Sequence, residues 1–182
     1  MNFIVKSSKN QAQKTKQLQQ FVTPEQYNIC VDAHADGLYR FILHNIRDSE
    51  KSKDIVQDTF EKLWINVANV TNEKAKSYIF TTAYHTMIDK IRREKKQADW
   101  EEVDHSAQAH SEHYSDLKEI LKEAVSKLPE VQRTVVLLRD YEGYAYDEIG
   151  EITGLTESQV KVYIYRARVF LKEYIGNMQN VI

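Results

Sequence analysis

Apolar residues recur along this chain with the spacing of amphipathic helices. In the first half, one apolar stripe runs from Ile55 to Val67 and a second from Ile79 to Ile91. Both follow a period of 3.6 residues, and neither alternates as a strand does. Helical periodicity resumes at Leu117 and continues through four segments. The pattern therefore predicts an all-α fold.

The start of the first helix is marked by a capping box. Thr23 can cap the helix, Pro24 suits its first position, and Gln26 can bond back to the backbone of Thr23. The preceding residues, 1–22, are rich in Gln and Lys and lack periodicity. We expect them to form a polar N-terminal tail.

Two helical domains are predicted, joined by an acidic linker. Residues 97–116 contain no Lys or Arg and six Asp or Glu. Such a segment is expected to be flexible, so that the domains can adopt many separations. The domains themselves cover residues 23–96 and 117–182, and the second is expected to contain four helices.

Charge distribution changes the view that the overall composition gives. A net charge of -2 argues by itself against nucleic-acid binding. However, residues 74–96 carry seven basic and two acidic side chains. The single cysteine, Cys30, excludes an internal disulfide and suits a reducing cytoplasm. No stretch is long and apolar enough to insert in a membrane, so we expect a cytoplasmic protein.

The C-terminal segment has the spacing of a helix-turn-helix. Gly150 is small where the two helices approach, and Gly154 can adopt the left-handed conformation that ends the first helix. Thr156 can cap the second helix with Gln159 as its partner. Val160 can pack back against the first helix.

The second helix of this motif has an apolar back and a polar front, as a recognition helix requires. The alternative is a helical hairpin with a solvated polar face. The candidate DNA-binding residues are Ser158, Lys161, Val162, Tyr165, Arg166 and Arg168.

Two polar faces stand out in the N-terminal domain. The first is an acidic ridge, at i, i+3, i+4 and i+7 on one helix, formed by Asp54, Gln57, Asp58 and Glu61. For the ridge, the alternative is an ordinary solvated face.

The second face interleaves basic and aromatic residues, which suits single-stranded nucleic acid. Here the alternative is core aromatics beside a basic helix end. Its candidate residues are Lys74, Lys76, Tyr78, Thr82, His85, Arg92, Arg93 and Lys96.

The motifs together resemble a known family. DIVQDTFEKLW (54–64) and SYIFTTAYHTMIDKIRREKK (77–96) resemble the core region of extracytoplasmic-function sigma factors of the sigma-70 family. Residues 121–175 resemble their C-terminal region. This resemblance covers about three quarters of the chain.

The resemblance implies a transcription initiation factor without catalysis, cofactor or small-molecule substrate. The acidic ridge would dock on the clamp helices of the β′ subunit of core RNA polymerase, and the second domain would lie at the β flap. The basic-aromatic face would bind and help to melt the minus-ten element of promoter DNA. The recognition helix would bind the minus-thirty-five element, and an anti-sigma factor would be a further partner.

Three departures from the family pattern concern DNA recognition. His85 stands where many members have Asn, and Tyr78 where many have Trp. Val162 and Tyr163 replace the commoner Ser and Arg. Val162 offers only an apolar contact, for instance to a thymine methyl group.

Two other functions remain open from the sequence. A free-standing helix-turn-helix regulator would bind duplex DNA as a dimer, but it would have no need of the acidic ridge. A metal-binding protein would need ligands such as His105, His110 and His113 in the linker, whose spacing is loose. We expect no metal site there.

Overall fold

The computed structural model describes residues 21–98 and 117–179, which are helical as predicted. A short 3-10 helix, Asn72–Lys74, precedes the third α-helix. The α-helices are α1 (Pro24–Ile46), α2 (Ser49–Ile65), α3 (Ala75–Ala98), α4 (Leu117–Lys127), α5 (Glu130–Asp140), α6 (Tyr146–Thr153) and α7 (Glu157–Gln179).

The N-terminal module consists of α1, α2 and α3 around an apolar core. The predicted capping box is present, because the Gln26 amide donates to Thr23 Oγ1 and the Thr23 amide donates to Gln26 Oε1. Asp48 caps α2 by accepting from the Lys51 amide at 3.0 Å. The fully buried core side chains include Leu38, Ile42, Ile55, Leu63, Ile79 and Met87. Cys30 is also buried, as the apolar spacing around it indicates.

The N-terminal module begins two residues earlier than the sequence predicts. Val22 is buried and its amide donates to the carbonyl of Val70 at 2.9 Å. Phe21 forms an isolated antiparallel bridge with Thr71. The last two residues of the predicted tail are thus part of the fold, because backbone pairing to the α2–α3 connection holds them. The rest of that tail lies outside the described residues.

The predicted linker is also shorter at its start, because α3 continues to Ala98. The remainder of the linker, with its three histidines, lies outside the described residues.

The C-terminal module contains the four predicted helices. The long helix α7 packs against α4, α5 and α6, and buries Val160, Ile164 and Ala167. Val131, in the first turn of α5, is 41% exposed.

The two modules pack directly against each other in the structure. The expected flexibility of the linker stays a prediction, because all but its first two residues lie outside the described residues. Helices α1 and α3 contact α4, α5 and α6. One apolar core runs through both modules, and in it Phe80 lies 5.6 Å from Phe41 and 5.4 Å from Tyr144, measured between ring centres. We call this contact surface the seam. Composition did not reveal it, because the residues that form it are distant in sequence.

Candidate functional site

The acidic ridge lies on the solvent side of α2. Asp54, Gln57 and Glu61 are exposed and Asp58 is half-buried. The opposite side of α2 is anchored in the core by Ile55 and other apolar residues. Within the described residues, no ion pair joins a ridge carboxylate to a cation. Among the described residues, the ridge is thus a row of three carboxylates and one carboxamide on a helix that the core supports.

Most of the predicted basic-aromatic face lies together on the outer side of α3. His85 is exposed, and its ring centre lies 5.4 Å from that of Tyr84. Tyr78 is half-buried, and its hydroxyl donates to the carbonyl of Lys62 at 3.4 Å. Thr82 is half-buried on the same side. Three cations near the end of α3 are exposed: Arg92, Arg93 and Lys96. Lys74, the last residue of the 3-10 helix before α3, is exposed as well.

Lys76 lies on a different side of α3, at the seam. Its ammonium donates to the carbonyl of Glu142 at 2.9 Å and lies 4.6 Å from the ring centre of Tyr144. Tyr144 is buried, and its burial raises the pKa of the phenol well above its ordinary value. In this arrangement Lys76 binds the C-terminal module, apart from the other basic residues of the face.

The helix-turn-helix has the geometry that its glycines predict. Gly154 is left-handed, with φ +75°, and ends α6. A Cβ on Gly150 would lie 2.8 Å from the carbonyl oxygen of Leu155, so the turn approaches α6 too closely for any side chain. The Gln159 amide donates to Thr156 Oγ1, and the Thr156 amide donates to Gln159 Oε1. These bonds fix the start of α7 and hence the direction of its exposed face.

Five of the six candidate residues on α7 are exposed: Ser158, Lys161, Val162, Tyr165 and Arg166. Of these, Lys161 also contacts α6, because its ammonium lies 5.7 Å from the ring centre of Tyr146. Tyr165 is 69% exposed and Val162 is 45% exposed, so the front of the helix includes a sizeable apolar area. Lys161 pairs with Glu157 one turn earlier, at 2.6 Å.

Arg168 differs from the other candidates because it is held by another helix. Its guanidinium makes two bonds to the Asp140 carboxylate at the end of α5, with Nη2–Oδ1 at 2.5 Å and Nε–Oδ2 at 3.2 Å. The hydrogen bond with Asp140 raises the pKa of Arg168. The sequence gives no sign of Asp140 as a partner, because 28 residues separate the two.

The described residues contain no group of three potential ligands placed to hold a metal. No helix in that part of the chain combines the length and the apolar character that a membrane-spanning segment needs.

Comparison with known proteins assigns the chain to a family. The Sigma-70 region 2 model matches residues 30–97, and the Sigma-70 region 4 model matches residues 118–171. RNA polymerase sigma factor SigV of Bacillus subtilis is 33% identical over 141 residues, which are 76% of this chain and 84% of the relative. The chain belongs to the sigma-70 family. ECF RNA polymerase sigma factor SigM of Bacillus subtilis is 27% identical over 144 residues, 76% of this sigma factor and 88% of the relative.

Solved structures have the same fold as this sigma factor. The sigma factor RpoE, solved with the anti-sigma factor NepR from Bartonella quintana, superposes with a TM-score of 0.65 at 22% identity, covering 80% of this chain and 94% of that chain. CnrH, solved with the cytosolic domain of CnrY, gives a TM-score of 0.59 at 19% identity, covering 83% and 88%.

These findings establish the general function. This sigma factor is a promoter-specific transcription initiation factor of the extracytoplasmic-function type. The free-standing regulator is not favoured, because a regulator would have no need of the region 2 module that α1, α2 and α3 form.

Proposed function

We propose that three surfaces of this sigma factor divide the work of promoter recognition. The ridge on α2 binds core RNA polymerase at the β′ clamp helices, and the C-terminal module lies at the β flap. The outer side of α3 binds the minus-ten element, and the front of α7 binds the minus-thirty-five element. The protein acts in the cytoplasm as a dissociable subunit without catalysis of its own.

One observation carries the polymerase contact. The ridge of Asp54, Gln57, Asp58 and Glu61 is accessible along a helix whose other side is fixed in the core. The ridge carboxylates pair with no cation among the described residues, and exposed carboxylates can form charge-assisted bonds to Arg or Lys of a partner. Because the helix is rigid, little conformational entropy is lost when the ridge binds.

The surface on α3 suits a melted DNA strand. Arg92, Arg93 and Lys96 provide positive charge for the phosphates, and Tyr78 and His85 provide rings for unstacked bases. Unstacking a base costs a few kcal/mol, which stacking on such rings and backbone contacts offset. Charge and rings on one helix side therefore support minus-ten binding.

The front of α7 suits the major groove of duplex DNA. Its N-terminal residues, Ser158, Lys161 and Val162, occupy the part of a recognition helix that contacts base edges. Tyr165 and Arg166 lie one turn further and can contact bases or phosphates. Arg168 is held by Asp140 and supports the orientation of α7 against α5.

An anti-sigma factor is the further partner that we propose. RpoE and CnrH, which share this fold, were both solved in complexes, with NepR and with the cytosolic domain of CnrY. The likeness supports the type of partner and leaves its identity open.

The polymerase contact is tested by a double substitution, Asp54→Ala with Asp58→Ala. We expect affinity for core RNA polymerase to fall about tenfold or more, because truncating one partner of a desolvated charge pair costs about 2 kcal/mol or more, and about 1.4 kcal/mol is already tenfold. The measurement is titration of labelled sigma factor with purified core enzyme.

The matched control is Asp32→Ala with Asp36→Ala, which removes two exposed carboxylates, i and i+4, from α1. It changes the net charge equally, so a loss specific to the ridge separates docking from general electrostatics. Equal binding by the ridge variant and the parent, with unchanged helicity, would remove the proposed docking surface.

A further inference from the structure

A row of basic residues follows one face of α1 to its C-terminal end. Arg40, His44 and Arg47 stand at i, i+4 and i+7, which places them on the same side of the helix. Arg40 and Arg47 are exposed and His44 is half-buried. His44 Nδ1 donates to the carbonyl of Arg40 at 2.6 Å, which fixes the imidazole ring. This row belongs neither to the ridge on α2 nor to the surfaces on α3 and α7 that are proposed to bind DNA.

A further cation, Lys122 of α4, faces the end of this row. Arg47 Nη2 donates to the carbonyl of Ser126, so the guanidinium reaches the face of α4 that carries Lys122 one turn earlier. That bond uses one N–H group of the guanidinium, and the others can donate to an anion. Lys122 is exposed, and no ion pair joins it to a carboxylate among the described residues. Cations from two helices therefore meet at one place.

A cavity of about 280 Å³ lies between α1 and α4 at this place. It is lined by Leu43, His44, Arg47, Lys122 and Ser126. Every lining side chain that can carry a charge is basic, and Leu43 provides an apolar wall. Sites for small molecules have volumes of roughly 300–1,000 Å³, so the cavity has the size of a small member of that class. Its lining suits a small molecule with negative charge.

The backbone of Arg47 is strained at the edge of this cavity. Its φ is 58°, and among the described residues it is the one non-glycine residue with positive φ. The Arg47 amide donates to the carbonyl of Leu43 at 2.8 Å, and the bond to Ser126 holds the side chain. Strained residues of this kind persist where their surroundings hold them, and they cluster at ligand sites. The strained residue here is also the one whose side chain links the two helices of the cavity.

Tyr141 provides an aromatic surface next to the cavity. It is 55% exposed at the end of α5, and its ring centre lies 6.2 Å from that of His44. Both residues line a second cavity of about 50 Å³, which Glu142 lines as well. An exposed ring can stack on a planar aromatic group, whereas the Glu142 carboxylate disfavours a phosphate at this end. A ligand with a ring and phosphates is thereby oriented, with its ring at Tyr141.

We propose that His44, Arg47, Lys122 and Tyr141 form a binding site for a nucleoside diphosphate. The base stacks on Tyr141, and the phosphates accept hydrogen bonds from Arg47 and Lys122. A diphosphate offers one phosphate group to each of these cations, and charge-assisted bonds to phosphate are strong. Stacking accepts any base, so adenine and guanine nucleotides both fit this chemistry. The site goes beyond promoter recognition, because none of its residues belongs to the proposed polymerase-binding or DNA-binding surfaces.

Binding is tested by isothermal titration calorimetry on the whole free sigma factor in magnesium-free buffer. The probes are ADP and GDP, with adenosine as a base without phosphates and inorganic pyrophosphate as phosphates without a base. We expect ADP or GDP to bind, and adenosine and pyrophosphate to bind at least about tenfold more weakly, because each lacks one of the two groups that the site contacts. Absence of binding by both nucleotides would overturn the site. Binding of adenosine or pyrophosphate as tight as that of the nucleotides would do so as well.

The place of binding is tested by substitutions at two exposed positions, with circular dichroism to check that each variant is folded. Lys122→Gln should weaken nucleotide binding about tenfold, because it removes a charge-assisted bond, and Lys122→Arg should retain binding. Tyr141→Leu should weaken it about fivefold or more, because base stacking is lost.

The matched control is Lys172→Gln, which removes an exposed charge from α7 outside both cavities. It should leave nucleotide affinity unchanged. An equal loss in Lys172→Gln and Lys122→Gln would mean that the nucleotide responds to overall charge, and the proposed site would be wrong. Parental affinity in either Lys122→Gln or Tyr141→Leu would also contradict it.

Discussion

Val162 gives the recognition surface of this sigma factor an apolar point among polar groups. It is 45% exposed on the front of α7, between Lys161 and the exposed Tyr165. A valine cannot donate or accept a hydrogen bond, so its contribution to base recognition is contact with a methyl group. In the major groove, the methyl group that it can contact is that of thymine.

We therefore expect a thymine opposite Val162 in the minus-thirty-five element of selected promoters. Replacing that thymine with uracil removes one methyl and should weaken binding about fourfold, because burying one such group contributes about 0.8 kcal/mol. The measurement is competition between thymine and uracil duplexes for the sigma factor with core polymerase.

Val162→Ser is the control for this contact and should bind both duplexes alike. Equal affinity of the parent for the two duplexes at every thymine of the element would show that Val162 does not contact a methyl.

Among elements, the turn between α6 and α7 decides where the recognition surface points. Gly154 has a left-handed backbone, and no atom lies within 4 Å of the Cβ that another residue would add there. A substitution at Gly154 therefore acts through backbone strain alone. Gly150 is different, because the Leu155 carbonyl leaves no room for a side chain.

Gly154→Ala is expected to lower the free energy of unfolding by about 1–2 kcal/mol, the cost of the left-handed conformation for an L-residue. Gly154→Asn should cost less, because Asn tolerates this conformation better. Urea unfolding followed by circular dichroism measures both. Equal destabilisation by Ala and Asn would mean that the loss has another origin.

Elements were predictable from the sequence where local rules decide them. The two capping boxes, the left-handed Gly154 and the solvent side of α2 depend on residues a few positions apart, and the structure has all of them. The structured part of the chain extends two residues past the predicted end of the tail and two residues past the predicted start of the linker. The reasons are the pairing of Val22 with Val70 and the continuation of α3 to Ala98, and neither follows from a local rule.

The positions of the candidate site residues were predictable to the same extent as the helices that carry them. Residues on the outer side of α3 and the front of α7 lie where helical periodicity places them. The exceptions, Lys76 and Arg168, are bound by Tyr144 with Glu142 and by Asp140. Their side chains have long reach, so helical position alone did not determine what they contact.

Across the whole molecule, the seam unites the two modules, and it was beyond sequence reasoning. Asn45 lies 88 residues from Arg133 and 89 from Thr134, and none of the three stands out by type or spacing. In the structure these residues help to pack α1 and α3 against α4, α5 and α6.

The central claim is that this chain makes RNA polymerase specific for promoters. In-vitro transcription of a genomic library by purified core polymerase, with and without the chain, tests it most directly. We expect discrete start sites that depend on the chain and share two upstream elements with a constant spacing. If the chain adds no start sites to core polymerase, yet binds duplex DNA as a dimer by itself, the account is contradicted.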